Sequence, residues 1–209
     1  SMGQRGVRGT QPHSVNETVE RNMRAAVEFA SKFFEQKHIR RILLSGSEDN
    51  IAQFRAYMPK SWQSLVVGTF PMAMTATSHE VALRAMEVGV RAEVEREEQL
   101  VERLITQAAK QGLALIGLEP VLSAVSAARV QMLIIQNDLH VSGFRCPDCQ
   151  MITSEPEFAC QGCQQPPQAV QDVIALAIAI TIEHGGEVEV VHQNSSFEKV
   201  GKIGAFLRY

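Results

Sequence analysis

The residues with the clearest capacity for chemistry stand in one stretch: Cys146-Pro147-Asp148-Cys149, and then Cys160-Gln161-Gly162-Cys163, which together hold all four cysteines of the chain. Their spacing is C-x2-C-x10-C-x2-C. Two residues between cysteines let one tight turn aim both sulfurs at the same ion, and a ten-residue arm containing Glu155-Pro156 is long enough to fold back with the second pair. Such a set suits a tetrahedral, four-thiolate structural zinc held by Cys146, Cys149, Cys160 and Cys163; a redox pair or disulfides are the other uses of this spacing. Closing so short an arm costs little chain entropy, whereas a structural zinc supplies roughly 10 kcal/mol or more of apparent binding free energy to a small module. Four thiolates leave no open position for water, which argues against a catalytic metal.

Other catalytic constellations are missing from the sequence. There is no GxSxG elbow, no HExxH, and Ser45-Gly46-Ser47 lacks both the Walker lysine and the GxGxxG spacing, so it reads as a plain turn. His38, His79, His140, His184 and His192 sit singly at the edges of expected elements, and His13 stands alone near the N-terminal loop. One further feature is Gly9-Thr10-Gln11, a glutamine two residues after a glycine just ahead of a helix; a backbone N–H and a side-chain amide there can steady a developing oxyanion or position water in a site built by another molecule. The competing reading of this segment is a disordered terminus.

The 209 residues suffice for one large or two small domains, and 45% hydrophobic with 21% charged residues is ordinary for a globular chain. No apolar run reaches the ~18 to 20 residues that span a bilayer, and commitment of every cysteine to one metal-like cluster fits a reducing, cytoplasmic setting. The net charge of −3 conceals an asymmetry: residues 1–60 carry ten Lys and Arg against six Asp and Glu, and residues 61–209 carry ten against seventeen. A polyanion such as RNA would meet the basic end, and a solvated surface is the plain alternative.

The elements that must position these groups follow from periodicity. Residues 1–13, with Gly3, Gly6, Gly9, Arg5 and Arg8, read as a basic loop; the Ser1-Met2 start resembles the remnant of tag removal, so the chain is expected to begin inside a natural domain. Ser14-Val15-Asn16-Glu17 reads as a capping box opening a helix to about Lys37. A strand over 39–44, a helix over 51–57 stopped by Pro59, and a strand over 65–70 give the order of a parallel α/β layer. Thr77-Ser78-His79-Glu80 is a second capping box, and helical character runs on almost to Lys110; its charged run, 91–98, suits either a bridge between domains or a solvated face. Then come a strand over 113–118, a helix over 121–128 and a strand over 130–135. The cysteine module occupies about 141–167, followed by an apolar helix over 170–182, a strand over 187–191, a short helical turn at Ser195-Ser196 and a last strand over 203–209. The expected fold is α/β: two small α/β/α domains, residues 1–90 and 91–209, the second carrying a zinc-binding minidomain insertion.

Glu183-His184-Gly185-Gly186-Glu187-Val188-Glu189-Val190 followed by Val200-Gly201-Lys202-Ile203-Gly204-Ala205-Phe206-Leu207-Arg208-Tyr209 resembles the closing "GAxVEI … GGIGAILRY" signature of the archaeo-eukaryotic class-1 peptide chain release factors and their relative Pelota. Residues 130–137, with Met132-Leu133-Ile134-Ile135, resemble that family's "VEILLIYEN" strand, and the cysteines fall where archaeal members carry a zinc-binding insertion. Upstream, 40–47 and Tyr57-Met58-Pro59-Lys60 resemble the "GIIVGGPG" strand and "YLPKEL" segment of the middle domain. The resemblance thus covers the middle and third domains, without a counterpart of the stop-codon-reading first domain. It implies ribosome-dependent hydrolysis of the peptidyl-tRNA ester in termination or ribosome rescue, with Gly9-Thr10-Gln11 at the position of the GGQ tripeptide and Gln11 positioning water. Thr10 replaces the central glycine, which points to a divergent bacterial or archaeal release-factor-like branch.

The same resemblance implies that Arg5 and Arg8 approach ribosomal RNA and the tRNA acceptor end. It also implies that the third domain docks a translational GTPase or a recycling ATPase, with neither membrane nor DNA as a partner. The alternative is a non-catalytic RNA- or protein-binding module, because the third domain shares its fold with kink-turn-binding ribosomal proteins. Gly117-Leu118-Glu119-Pro120 lacks the Asn and Lys of their RNA loop, and the local charge is negative.

Overall fold

A computed structural model describes residues 12–155, 163 and 166–209. Its chain divides between Glu93 and Val94 into two compact units. The first opens with α1 (Pro12–Lys37), then β1 (Ile42–Gly46), α2 (Glu48–Tyr57), α3 (Lys60–Gln63), β2 (Val66–Pro71) and the first part of α4 (Ser78–Ala109). α1 starts two residues ahead of Ser14, so Ser14 lies inside the helix and not at its cap. β1 and β2 pair in parallel with α2 as the crossover, the layer expected from the alternation of helix and strand. Ser47 caps α2 by accepting from the Asn50 N–H at 3.3 Å, which puts the helix start three residues before the periodic run.

Val27, Ile42, Leu44 and Met58 form the core of this unit, with Phe34 and Trp62 tilted against each other at 5.3 Å between ring centroids. The Thr77 capping box is formed: Glu80 Oε2 accepts from the Thr77 N–H at 2.8 Å, and Thr77 Oγ1 accepts from the Glu80 N–H at 3.3 Å.

The second unit contains the rest of α4, then β3 (Ala114–Ile116), α5 (Leu118–Ser126), β4 (Val130–Gln136), β5 (Gly143–Arg145), β6 (Ile152–Thr153), β7 (Gln168–Val170), α6 (Val173–Glu183), β8 (Glu187–Val191), α7 (Ser195–Glu198) and β9 (Ile203–Leu207). Its main sheet has the order β3-β9-β4-β8, with β9 antiparallel to both neighbours and β8 parallel to β4. Alternation along β4 assigns the layers: Leu133 and Ile135 pack with residues of α5 and α6, whereas Ile134 between them packs with Leu100, Val101 and Leu104 of α4 and with Phe197 of α7. The sheet is therefore the middle of an α/β/α sandwich.

Two expected boundaries are corrected. The apolar run 113–118 does not continue as a strand; Gly117 turns at φ 88°, β3 ends at Ile116, and α5 begins at Leu118 with Pro120 in its first turn. Val170 does not begin the apolar helix either. It closes β7, and Asp172 caps α6 by accepting from the Ile174 and Ala175 N–H groups at 2.9 and 3.3 Å. α6 is also less enclosed than an all-apolar sequence implies, since Ile182 is exposed.

α4 meets β9 at Gly204, where an added Cβ would lie 2.5 Å from Leu104 Cδ2 and 2.9 Å from the Leu115 carbonyl oxygen. Gly204→Ala is expected to destabilise the protein by about 1 to 3 kcal/mol through overpacking, and Asp172→Ala by about 1 kcal/mol through loss of the cap. Both are read from denaturant midpoints of the full chain.

Candidate metal centre

A second, smaller sheet of order β6-β5-β7 is inserted in the chain between β4 and α6. β5 lies in its middle, antiparallel to both neighbours, with Phe144 opposite Thr153 and Ala169. The strand is pinned to α6 at its start: the Val173 N–H donates to the Val141 carbonyl at 2.8 Å, and a Cβ added at Gly143 would lie 3.0 Å from the Val173 Cβ.

Directly after β5, the chain makes the turn that the C-x2-C spacing anticipates. The Cys146 N–H donates to the Met151 carbonyl at 2.8 Å, the Gln150 N–H returns to the Cys146 carbonyl at 3.1 Å, and Gln150 takes φ 63°. Its side-chain amide closes the turn on the Pro147 carbonyl at 2.9 Å. Cys146 is buried, Cys163 half-buried and Cys149 exposed, and their three Sγ atoms all lie within 4.8 Å of one another. Cys146 Sγ and Cys163 Sγ are 3.0 Å apart, against about 2.05 Å in a disulfide. Sulfurs around one zinc at ~2.3 Å stand about 3.8 Å apart, so this pair would open by about 0.8 Å to share one ion.

The electrostatics favour the metal-binding form. The Cys149 N–H first, then the Cys163 sulfur and the Asp148 N–H, hold the Cys146 thiol below its ordinary value against the opposing effect of burial. These three cysteines can therefore hold a metal ion. Cys160, the fourth expected ligand, lies outside the described residues, as do Gly9, Gln11, Arg5 and Arg8.

Periodicity carries no sign of what fixes the module to the sandwich. The Glu119 carboxylate, in the first turn of α5, accepts from Thr153 Oγ1 at 2.7 Å, from the Ser154 N–H at 2.8 Å and from Ser154 Oγ. At the other end of α5, Ser126 Oγ accepts from the Ile152 N–H at 3.1 Å, and Ile152 itself is buried in the core with Val121, Leu122 and Val125. Residue types alone offer no signal for Glu119, because its partners lie 34 and 35 positions away.

Elsewhere in the second unit, an open cavity of about 940 Å³ lies between α4 and the α7 segment, rimmed by Glu98, Glu102 and Glu198 and floored by Val101 and Ile105. Beside it, buried Glu97 accepts from the His192 N–H at 2.7 Å and pairs with His192 Nδ1 at 2.9 Å. Among the described residues, no helix is long and apolar enough to cross a membrane.

The second unit is thus an α/β/α sandwich with a cysteine-bearing module inserted between β4 and α6, the architecture that the resemblance to release factors implies for a third domain. Residues 3–90 match the family described as bacterial archaeo-eukaryotic release factor family 10. The chain is also similar to peptide chain release factor subunit 1 of Archaeoglobus fulgidus, with 26% identity over 191 residues, covering 80% of this chain and 46% of that relative. It therefore spans about half the length of the curated relative it matches.

Two solved structures illustrate the shared fold. One is S. cerevisiae Dom34, described as a translation termination-like factor interacting with Hbs1, at TM-score 0.57 and 11% identity over 97% of this chain and 55% of that one. The other is a chain of the ribosome-bound archaeal Pelota and ABCE1 model, at TM-score 0.56 and 16% identity over 90% of this chain and 49% of that one. In sequence, the chain is thus similar to the archaeo-eukaryotic release factors.

Burial pushes the Glu119 carboxyl up, but the hydrogen bonds from Ser154 and Thr153 outweigh it and hold the group below the usual carboxylate range. A carboxyl depressed in the folded state contributes its full stability above the unfolded value of about 4.3 and loses it as pH falls through the folded value. The stability gap between wild type and Glu119→Gln should therefore be widest near neutrality and narrow on acidification, as read from denaturant midpoints from about pH 6 to about pH 3.

Proposed function

We propose that this chain is part of a release-factor-like protein that acts on ribosome-bound peptidyl-tRNA, in termination or in rescue of stalled ribosomes. The observation that carries the reading is the family match over residues 3–90, because that segment includes Gly9-Thr10-Gln11. In the reaction, water adds to the ester carbonyl and the bond to the ribose 3′ oxygen breaks. The peptide acid leaves, and the 3′ oxygen takes up a proton. Gln11 would position the attacking water through its amide, with Gly9 allowing close backbone approach, and the ribosome would supply most of the surrounding donors. Arg5 and Arg8 would meet RNA phosphates.

In this reading the cysteines hold a structural zinc, with Cys160 completing the set of Cys146, Cys149 and Cys163. The donor chemistry supports it: three sulfurs within 4.8 Å, with Cys146 biased toward the thiolate. The role of residues 94–209 would be docking of a translational GTPase or recycling ATPase. Support comes from the relatives named with Hbs1 and ABCE1, and from the acidic, apolar-floored cavity along α4, which suits a protein partner better than a polyanion.

In the full-length protein, Gln11→Ala should abolish peptide release from stalled ribosomes while ribosome binding, followed by cosedimentation, is retained. An unchanged release rate removes Gln11 from the mechanism. Metal analysis of the purified protein should give one zinc per chain, lost in Cys149→Ser while the α/β core stays folded by circular dichroism; intact disulfides without metal would overturn the zinc reading.

A further inference from the structure

Cys146 and Cys149 stand in the turn between β5, a central strand with neighbours on both sides, and β6, an edge strand of two residues. The Cys146 N–H donates to the carbonyl of Met151, the residue just before β6, so the turn is closed by the approach to that strand. So short an edge strand has little pairing of its own to prevent fraying, and the Cys149 arm of the turn ends at a fixed point only if something else holds β6.

That support comes from one face of α5. Glu119 and Ser126 are seven residues apart, two helical turns or about 10.5 Å along the same side. Ser126 Oγ holds the Ile152 N–H at 3.1 Å and donates in turn to the Leu122 carbonyl at 2.9 Å, while Glu119 takes Thr153 and both donors of Ser154. Thr153 Oγ1 also accepts from the Glu155 N–H at 3.1 Å, which extends the clasp by one residue. Glu119 is far from the sulfurs in sequence and makes no hydrogen bond to any of them among the described residues, so any effect on the cluster must pass through β6.

We propose that Glu119 is a positioning residue for the metal centre: by fixing β6 to α5 it preorganises the Cys146–Cys149 turn that leads into β6 and sets the affinity for the metal. This rests on the reading of the cluster as a zinc site. Coupling of this kind is reciprocal, so metal loading strengthens the Glu119 clasp by the same factor that the clasp strengthens loading.

The test is Zn2+ affinity of the full chain by competition with a chromogenic chelator. Relative to wild type, Glu119→Ala should bind about tenfold more weakly, and Glu119→Gln, which keeps one amide oxygen as acceptor, about threefold. Ser154→Ala alone should lose a few-fold while keeping the Ser154 N–H bond, and should add nothing further in the Glu119→Ala background. As a readout independent of affinity, hydrogen exchange at the Ser154 amide should slow on zinc addition in wild type and change little in Glu119→Ala.

Equal zinc affinity in wild type and Glu119→Ala overturns the inference, even if the variant melts at a lower temperature. Should Glu119→Ala fail to fold, Ser154→Ala decides by the same measurement, with unchanged affinity again the contrary result. A wild-type chain that binds no zinc overturns the zinc reading, and this inference with it.

Discussion

Residues 94–209 depend on one close contact, the seating of Leu104 over Gly204. Leu104 is fully buried, and only a hydrogen in place of a Cβ on Gly204 lets α4 approach β9 this closely. β9 is the last strand in sequence but lies inside the sheet, paired on one side with β3 and on the other with β4. Its two faces serve different layers. Phe206 packs toward α4, with Arg103 stacked on its ring at 5.0 Å, whereas Ile203, Ala205 and Leu207 pack with α5 and α6. α5 then holds β6 through Glu119 and Ser126. A continuous set of contacts therefore runs from the C-terminal strand to the cysteine cluster, and its members serve packing and positioning.

Much of this was legible in the sequence, for reasons that are local. The Thr77-Glu80 capping box is a four-residue device whose two hydrogen bonds need no tertiary context, and it forms as its spacing dictates. The first C-x2-C turn is equally local, closed by its own backbone at Cys146 and Gln150. The alternation of helix and strand likewise anticipates the parallel β1–β2 pair.

What was not legible depends on conformation at single residues or on distant partners. The runs ending at Leu118 and beginning at Val170 mislead because apolar residues continue across a boundary. Gly117 makes one of those boundaries with a positive φ, and Asp172 makes the other as a cap. β5, β6 and β7 are two or three residues long, too short for any period to register. In the sequence Glu119 stands out only as a residue of a candidate RNA loop. Its use as an internal acceptor follows from folding, which brings Thr153 and Ser154 onto it.

In the proposed function the metal centre organises a docking domain, and the chemistry lies at the other end of the chain, in a site that needs the ribosome for completion. The most direct test compares peptidyl-tRNA hydrolysis by the full-length protein on free peptidyl-tRNA and on the same substrate bound in stalled ribosomes. Release only from the ribosome-bound substrate is the predicted result; comparable hydrolysis of the free substrate would reveal a self-contained active site and contradict the proposal.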